Sequence, residues 1–200
     1  TTTSAWGNTS STLAFTKGKW YAEAKIITLA SSTGYGSVGI SDINLSDYDG
    51  NDTVIKQDAE TAGVALDHRS GQSDIRSGTS VVTSNIGNFS TNDIVGLAVD
   101  MDNKALYIHL NGTYYQISGV TGVPTSGSSK TGALTIPASV VDCAFHVGSY
   151  TDKSETAFNF GSPFYSISSG NSDANGYGNF EYAVPSGYYA LNTKNLAEFG

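Results

Sequence analysis

Charge is scarce in this chain. Only 14% of its 200 residues are Asp, Glu, Lys or Arg, too few to clothe the polar faces of long exposed helices. Cations are the scarcest: ten Lys and Arg against eighteen Asp and Glu give a net charge of −8. Ten scattered basic residues make no phosphate-binding patch, so nucleic acid is excluded as the main partner. The same balance disfavours an anionic membrane surface. Cys143 is the single cysteine, so no intrachain disulfide exists and stability must come from packing. No apolar run is long enough to insert into a membrane, and the N-terminus lacks a charged and apolar signal sequence. The abrupt start at Thr1-Thr2-Thr3 suits a processed product or a segment of something longer.

What the chain does contain is Gly, Tyr, Ser, Thr and Asn: 23 glycines and 12 tyrosines. That composition suits short strands joined by tight turns. Two hundred residues correspond to one domain, or one domain with appendages, with room for a core that needs no disulfide or metal.

The pattern is clearest from Asp93 to Tyr115. Val95, Leu97, Val99 and Met101 alternate with Ile94, Gly96, Ala98 and Asp100, the period of two that a strand imposes. Asp102-Asn103 marks a turn. Leu106, Ile108 and Leu110 then share one face, and Ala105, Tyr107 and His109 the other. Asn111-Gly112 fits a type I′ hairpin, whose two central residues both need positive φ. Tyr114, Tyr115 and Ile117 continue a third strand, completing an antiparallel meander.

Further strands are expected at Leu13–Phe15, Trp20–Ile26, Tyr35–Ser41, Gly63–Asp67, Ser77–Thr83, Val140–Tyr150 and Thr156–Phe160. In the second of these, parity places Trp20, Ala22, Ala24 and Ile26 inward and Tyr21, Glu23 and Lys25 outward. Near the C-terminal end it places Val141, Cys143, Phe145 and Val147 inward, then Phe158 and Phe160. Cys143 therefore reads as a small core residue. Trp6 would anchor an irregular N-terminal arm, Ser41–Asp58 a polar loop, and Asn192–Phe199 a terminal helical turn. Turn signals every eight to twelve residues suit an antiparallel β-sandwich.

Several segments fall in a known order: GKWYAEAKI at Gly18–Ile26, YGSVGIS at Tyr35–Ser41, GVALD at Gly63–Asp67, DIVGLAVDMDNKALYIHLNG at Asp93–Gly112, then FHVGSY and FNFG within Phe145–Gly161. This order resembles the SPRY (B30.2-type) domain, a concanavalin-like sandwich with an early GKxYxE strand, a central GDxxGxxxD meander and a closing NFG strand. Asn92 stands where that pattern has glycine, and Ile108-His109 occupies its aromatic position. The tail, DANGYGNFEYAVPSGYYALNTKNLAEFG, resembles the C-terminal extension of SPRY-like domains in tailed-phage structural proteins. These resemblances imply a fold class: an all-β, two-sheet antiparallel sandwich at residues 1–161, with an irregular extension at 162–200 packed on it. They also imply binding through edge loops and no catalysis.

Some residues bear on chemistry as well. A glycoside hydrolase needs two carboxylates flanking the bond. Asp100 and Asp102 are the nearest pair at strand spacing, with Asp102 already in a turn, and Asp100 reads as a hairpin cap or as the Asp of the SPRY pattern. His68, His109 and His146 lie on separate segments without a serine elbow and read as surface or sheet-face residues. No catalytic residue and no cofactor is assigned. Calcium is the alternative for the acidic loop, with Asp47, Asp49 and Asp52 as candidate ligands. Tyr35, Tyr48, Tyr165 and Tyr177 lie in or beside loops, where tyrosine serves partner or sugar contacts. The expected function is a virion structural or adhesion module in a phage tail, fibre or capsid decoration. Protein partners in a larger assembly, self-association into a homo-oligomer and cell-surface glycans are the expected contacts, on a phage particle or in an extracellular setting. A lectin-like carbohydrate-binding module on a microbial surface or secreted protein is the alternative, and a glycan-degrading enzyme the third.

Overall fold

The computed structural model describes residues 6–29, 35–44, 63–69, 72–77, 80–84, 86–150 and 154–200. The fold is all-β, with two antiparallel sheets that fall in two compact units.

The first unit comprises Thr1–Ala14, Ile26–Asn92 and Ile136–Thr156. Its strands are β1 (Trp6–Ser10), β3 (Tyr35–Asp42), β4 (Gly63–Arg69), β5 (Gln72–Ser77), β6 (Ser80–Thr83) and β13 (Cys143–Tyr150), in the order β1-β13-β3-β4-β5-β6. Alternation sets their faces. Val38, Ile40, Val64, Leu66, Ile75, Cys143 and Phe145 are fully buried and form the apolar face. Cys143 is thus the core residue its parity predicts. Val141 is not: it precedes β13 and is 57% exposed, and its N–H donates to Asp42 Oδ2. The N-terminal arm is a strand from Trp6 onward, paired along β13. Ser77–Thr83, expected as one strand, is instead the end of β5 and all of β6, two arms of a hairpin.

The second unit comprises Phe15–Lys25, Asp93–Thr135 and Ala157–Gly200. It is built on a seven-stranded sheet with the path β12-β8-β7-β2-β14: Leu134–Thr135, Ala105–Leu110, Ile94–Asp100, Lys19–Thr28 and Glu155–Asn159. Short β9 (Thr113–Tyr114) pairs with β8, and β15 (Tyr189–Ala190) runs parallel to β2. A two-stranded ribbon, β10 (Gln116–Ile117) with β11 (Val120–Thr121), precedes a 3-10 segment at Pro124–Ser129. Helix α1 (Thr193–Phe199) is capped by Asn192, whose Oδ1 accepts from Asn195 N–H at 2.8 Å.

The first two strands of the meander form as alternation predicts, but the third is only β9, Thr113–Tyr114, and Ile117 belongs instead to the β10–β11 ribbon. Asn111 and Gly112 have φ of 49° and 82°, as a type I′ turn requires. Asp100 does cap its hairpin, accepting from Asn103 N–H at 3.0 Å and Asn103 Nδ2 at 2.8 Å, and Lys19 Nζ lies 3.1 Å away. Asn92, standing where the SPRY pattern has glycine, has φ of 78°. Asparagine is among the few other residues that adopt that left-handed backbone readily. Leu13–Phe15 forms no strand, only an isolated bridge at Phe15.

One parity expectation fails instructively. Tyr21 and Glu23, expected to face solvent, are fully buried, and so is every residue of β7. The cause is the C-terminal extension. Phe180, Tyr188 and Ala190 close over Tyr21, Ala98, Ala105 and Tyr107, forming a second apolar cluster on that face of the sheet. The small residues Ala98 and Ala105 mark where the covering side chains lie close.

Candidate functional site

Glu23 is the centre of a heavily bonded polar site. Its strand partner on β7 is Gly96, and the partner of Gly96 on β8 is His109. Glycine is required there. A Cβ at Gly96 would fall 1.8 Å from His109 Nε2, so the absent side chain is the space that the imidazole fills. His109 thereby reaches Tyr21, with Nε2 2.8 Å from the hydroxyl.

Proton positions follow from the partners. Gly112 N–H donates to His109 Nδ1 at 3.1 Å, so the neutral ring carries its proton on Nε2 and donates to Tyr21 Oη. The Tyr21 hydroxyl then donates to Glu23 Oε1 at 3.1 Å. Glu23 also accepts from Tyr182 N–H at 2.7 Å, Glu181 N–H at 3.0 Å and Asn159 Nδ2 at 3.3 Å. Four donors therefore converge on one carboxylate. Two are backbone groups of the extension and one belongs to the last residue of β14.

Burial raises the Glu23 pKa above its usual value, while its four hydrogen bonds pull it the other way. Burial likewise raises the Tyr21 phenol, with Glu23 adding to it, and pushes His109 down to about 4. The ring of His109 also packs edge-on to Tyr114 and Tyr182, at 5.2 Å and 5.3 Å between centroids. The histidine thus combines aromatic packing with two hydrogen bonds.

A second carboxylate organises the extension itself. Asp173 Oδ1 accepts from Asn175 N–H and Tyr177 N–H, each at 2.9 Å. Its Oδ2 accepts from Ala190 N–H at 2.9 Å and Asn195 Nδ2 at 2.8 Å. One side chain thus ties a turn, β15 and α1 together. Both sites are built for cohesion: the carboxylates are buried and saturated with donors, so neither is presented to a substrate.

Of the residues singled out in the sequence, Tyr165 is half-buried, with Lys25 Nζ 5.2 Å from its ring centroid. Tyr177 is half-buried against the extension's cluster, with Lys194 Nζ 5.6 Å from its ring. Tyr35 lies in β3, but its side chain is outside the described residues, as are all of Tyr48, Asp47, Asp49 and Asp52. Among the described residues no group of three or more His, Cys, Asp or Glu could hold a metal ion. His109 and His146, expected at a surface or sheet face, are sheet-face residues but fully interior. Phe158 and Phe160 stack at 5.0 Å but are only half-buried, and Asn159 between them is the buried residue of β14.

The Glu23 site was missed because strand parity alone assigns the second face of β2 to solvent. The signals that point to it are Gly96 and Ala98 opposite Glu23 and Tyr21, and an aromatic tail with no core of its own. The most exposed large apolar side chain among the described residues is Phe164, at 95%, beside Tyr165.

No family model matches the chain, and no curated protein matches it. Solved structures do. The SPRY domain of human HERC1 aligns over 77% of this chain and 80% of its own, at 12% identity and a TM-score of 0.52. A second human SPRY domain aligns over 78% and 85%, at 12% identity and a TM-score of 0.50. At that identity the likeness concerns the fold, which is SPRY-like.

Proposed function

We propose that this chain is a non-enzymatic interaction module of the SPRY kind, and that it serves as a structural or adhesion part of a phage particle: tail, fibre or capsid decoration. The observation that carries the first half is the state of its ionisable groups. Glu23, Asp100, Asp173 and His109 are all buried in internal hydrogen bonds or ion pairs. Acid–base catalysis needs such groups within reach of a substrate. Among the described residues one exposed feature is of the binding kind: Phe164 at 95% exposure, next to Tyr165 on the extension. Tyr35, at the start of β3, and Tyr48, Tyr165 and Tyr177 remain the proposed partner contacts. The second half is supported by the likeness of the Asp173–Gly200 segment to tail extensions in phage structural proteins.

Mass spectrometry of purified particles from the phage or prophage that carries the gene tests the virion role. The chain is expected at a stoichiometric level, and its absence from intact particles overturns that role. A glycan array probed with the pure chain separates the lectin reading. Binding lost on Phe164→Ala would favour the lectin over assembly. Glycan hydrolysis abolished by Asp100→Asn would overturn the non-enzymatic reading.

A further inference from the structure

The apolar face of the six-stranded sheet is not closed along its whole length. Gly7 and Thr9 on β1 pair with Ser149 and Val147 on β13, and by strand parity these four share the face of Cys143 and Phe145. Cys143 and Phe145 are fully buried, but Val147 and Ser149 are half-buried and Gly7 and Thr9 exposed. A cleft of about 340 Å³ opens there, walled on its other side by Ser154, Glu155 and Thr156. All of these residues belong to the first unit. The cleft stays open because its floor lacks a side chain: a Cβ at Gly7 would meet only Ser149 O, at 4.0 Å. Wall and floor are braced together, since Ser154 N–H donates to Ser149 Oγ at 3.2 Å.

We propose that this cleft is a subsite for one ring of a neutral sugar. Its lining decides the class. Thr9, Ser149 and Thr156 carry hydroxyls, which both donate and accept, and exposed Glu155 carries a carboxylate that can accept from two hydroxyls at once. Between them, Val147 and the bare backbone of Gly7 give an apolar floor. A pyranose has the same division, with hydroxyls at its rim and C–H groups on its face. Among the described residues no Lys, Arg, His or aromatic side chain lines the cleft. A phosphate, sulfate or sugar acid would therefore meet Glu155 with no counter-charge, on a chain of net charge −8. The volume lies at the low end of the roughly 300–1,000 Å³ usual for small-molecule sites. It suits a single ring, and the exposed rim lets the rest of a glycan run out into solvent. The proposal rests on the adhesion reading above and gives it a ligand class and a place. The two fail separately, because the chain can be a particle component whether or not sugar binds here.

Amide chemical shifts of the isotope-labelled full chain test it, in titrations with glucose, galactose, mannose and N-acetylglucosamine up to about 100 mM each. At least one sugar is expected to move the amides of Gly7, Thr9, Val147, Ser149 and Glu155 along a saturating curve, with a Kd of about 1–30 mM. Gly7→Ile fills the floor with a β-branched side chain that strands accept readily. It should weaken binding by roughly tenfold or more, with an unchanged far-UV spectrum. Glu155→Ala should weaken binding by about fivefold, and Phe164→Ala, in the other unit, should leave it unchanged. Four results would overturn the proposal. One is the lack of a saturable shift with any of the sugars. Another is saturable shifts only at amides outside the cleft. A third is binding that both Gly7→Ile and Glu155→Ala leave intact. The last is an amine, putrescine, moving these amides at lower concentration than any sugar, which would make the cleft a cation site.

Discussion

Some buried polar side chains of the two units are bonded in contrasting ways. In the second, Glu23 and Asp173 each gather four donors, and His109 is bonded through both ring nitrogens. In the first, His146 is equally buried. Its Nε2 lies 3.2 Å from Asn8 Oδ1, but Nδ1 has no partner among the described residues, and neither do the hydroxyls of Ser37 and Ser41. A buried polar group with converging donors fixes the segments that supply them, whereas one without partners only costs desolvation. The difference marks which polar residues specify structure. Glu23 dictates where residues 181–182 must lie, while Ser37 dictates nothing comparable.

The sharpest way to break that contrast is Glu23→Ala. It strands two backbone N–H groups, the Asn159 amide and the Tyr21 hydroxyl, and should cost about 3–5 kcal/mol in urea unfolding. Amide exchange at Glu181 and Tyr182 should accelerate along with it. A loss under about 1 kcal/mol would mean that the carboxylate is not holding the extension.

Acid is expected to act next most strongly. Burial holds both His109 and His146 at about 4, against an ordinary 6.5. The unfolded chain takes up a proton at each near 6.5, and the folded chain does not until about 4. Their stabilising contribution is therefore complete above pH 6.5 and is lost as pH falls toward 4, by up to about 3 kcal/mol per histidine. Glu23 opposes this. Its folded pKa is raised, so protonation on acidification favours the fold in the window above 4.5. Urea midpoints at pH 7 and pH 5 should show a net loss at pH 5. Imidazole chemical shifts flat down to pH 5 would verify that both rings stay neutral.

Gly96→Ala should cost about 1–3 kcal/mol, because the new methyl must displace the His109 ring from Tyr21. Gly87→Ala is the contrast within the first unit. Its methyl meets nothing within 4 Å, so its cost comes from backbone strain at a φ of 112° and not from packing. The smallest effect belongs to Ser41→Ala, expected within about 0.5 kcal/mol of wild type or slightly stabilising, since no bond to a described residue is lost. A larger destabilisation would erase the contrast between the units.

Much of this architecture was legible in residue order. The first two strands of the meander, the Asn111-Gly112 turn, the Asp100 cap and the core position of Cys143 all follow from parity and turn chemistry, which act over a few residues. What stayed hidden depends on contacts across long stretches of chain. Strand β2 looks amphipathic, because Tyr21 and Glu23 alternate with Ala22 and Ala24, and no local rule reveals that Phe180 and Tyr188 cover the second face. Glu23 meets its partners 158 and 159 residues later. The β5–β6 hairpin was blurred for another reason: the polar run Gln72-Ser73-Asp74 carries little strand propensity and is held by pairing with β4.

The cover over Tyr21 and Glu23 also bears on how such a module can travel between genes. A cut after Gly161 would keep every strand of the SPRY pattern, yet bare an apolar face with a carboxylate at its centre. A recombination event that carries the sheet therefore has to carry Glu181, Tyr182 and Tyr188 with it, or replace Glu23 at the same stroke. Inheritance would then couple position 23 to a segment that the SPRY motif itself does not contain.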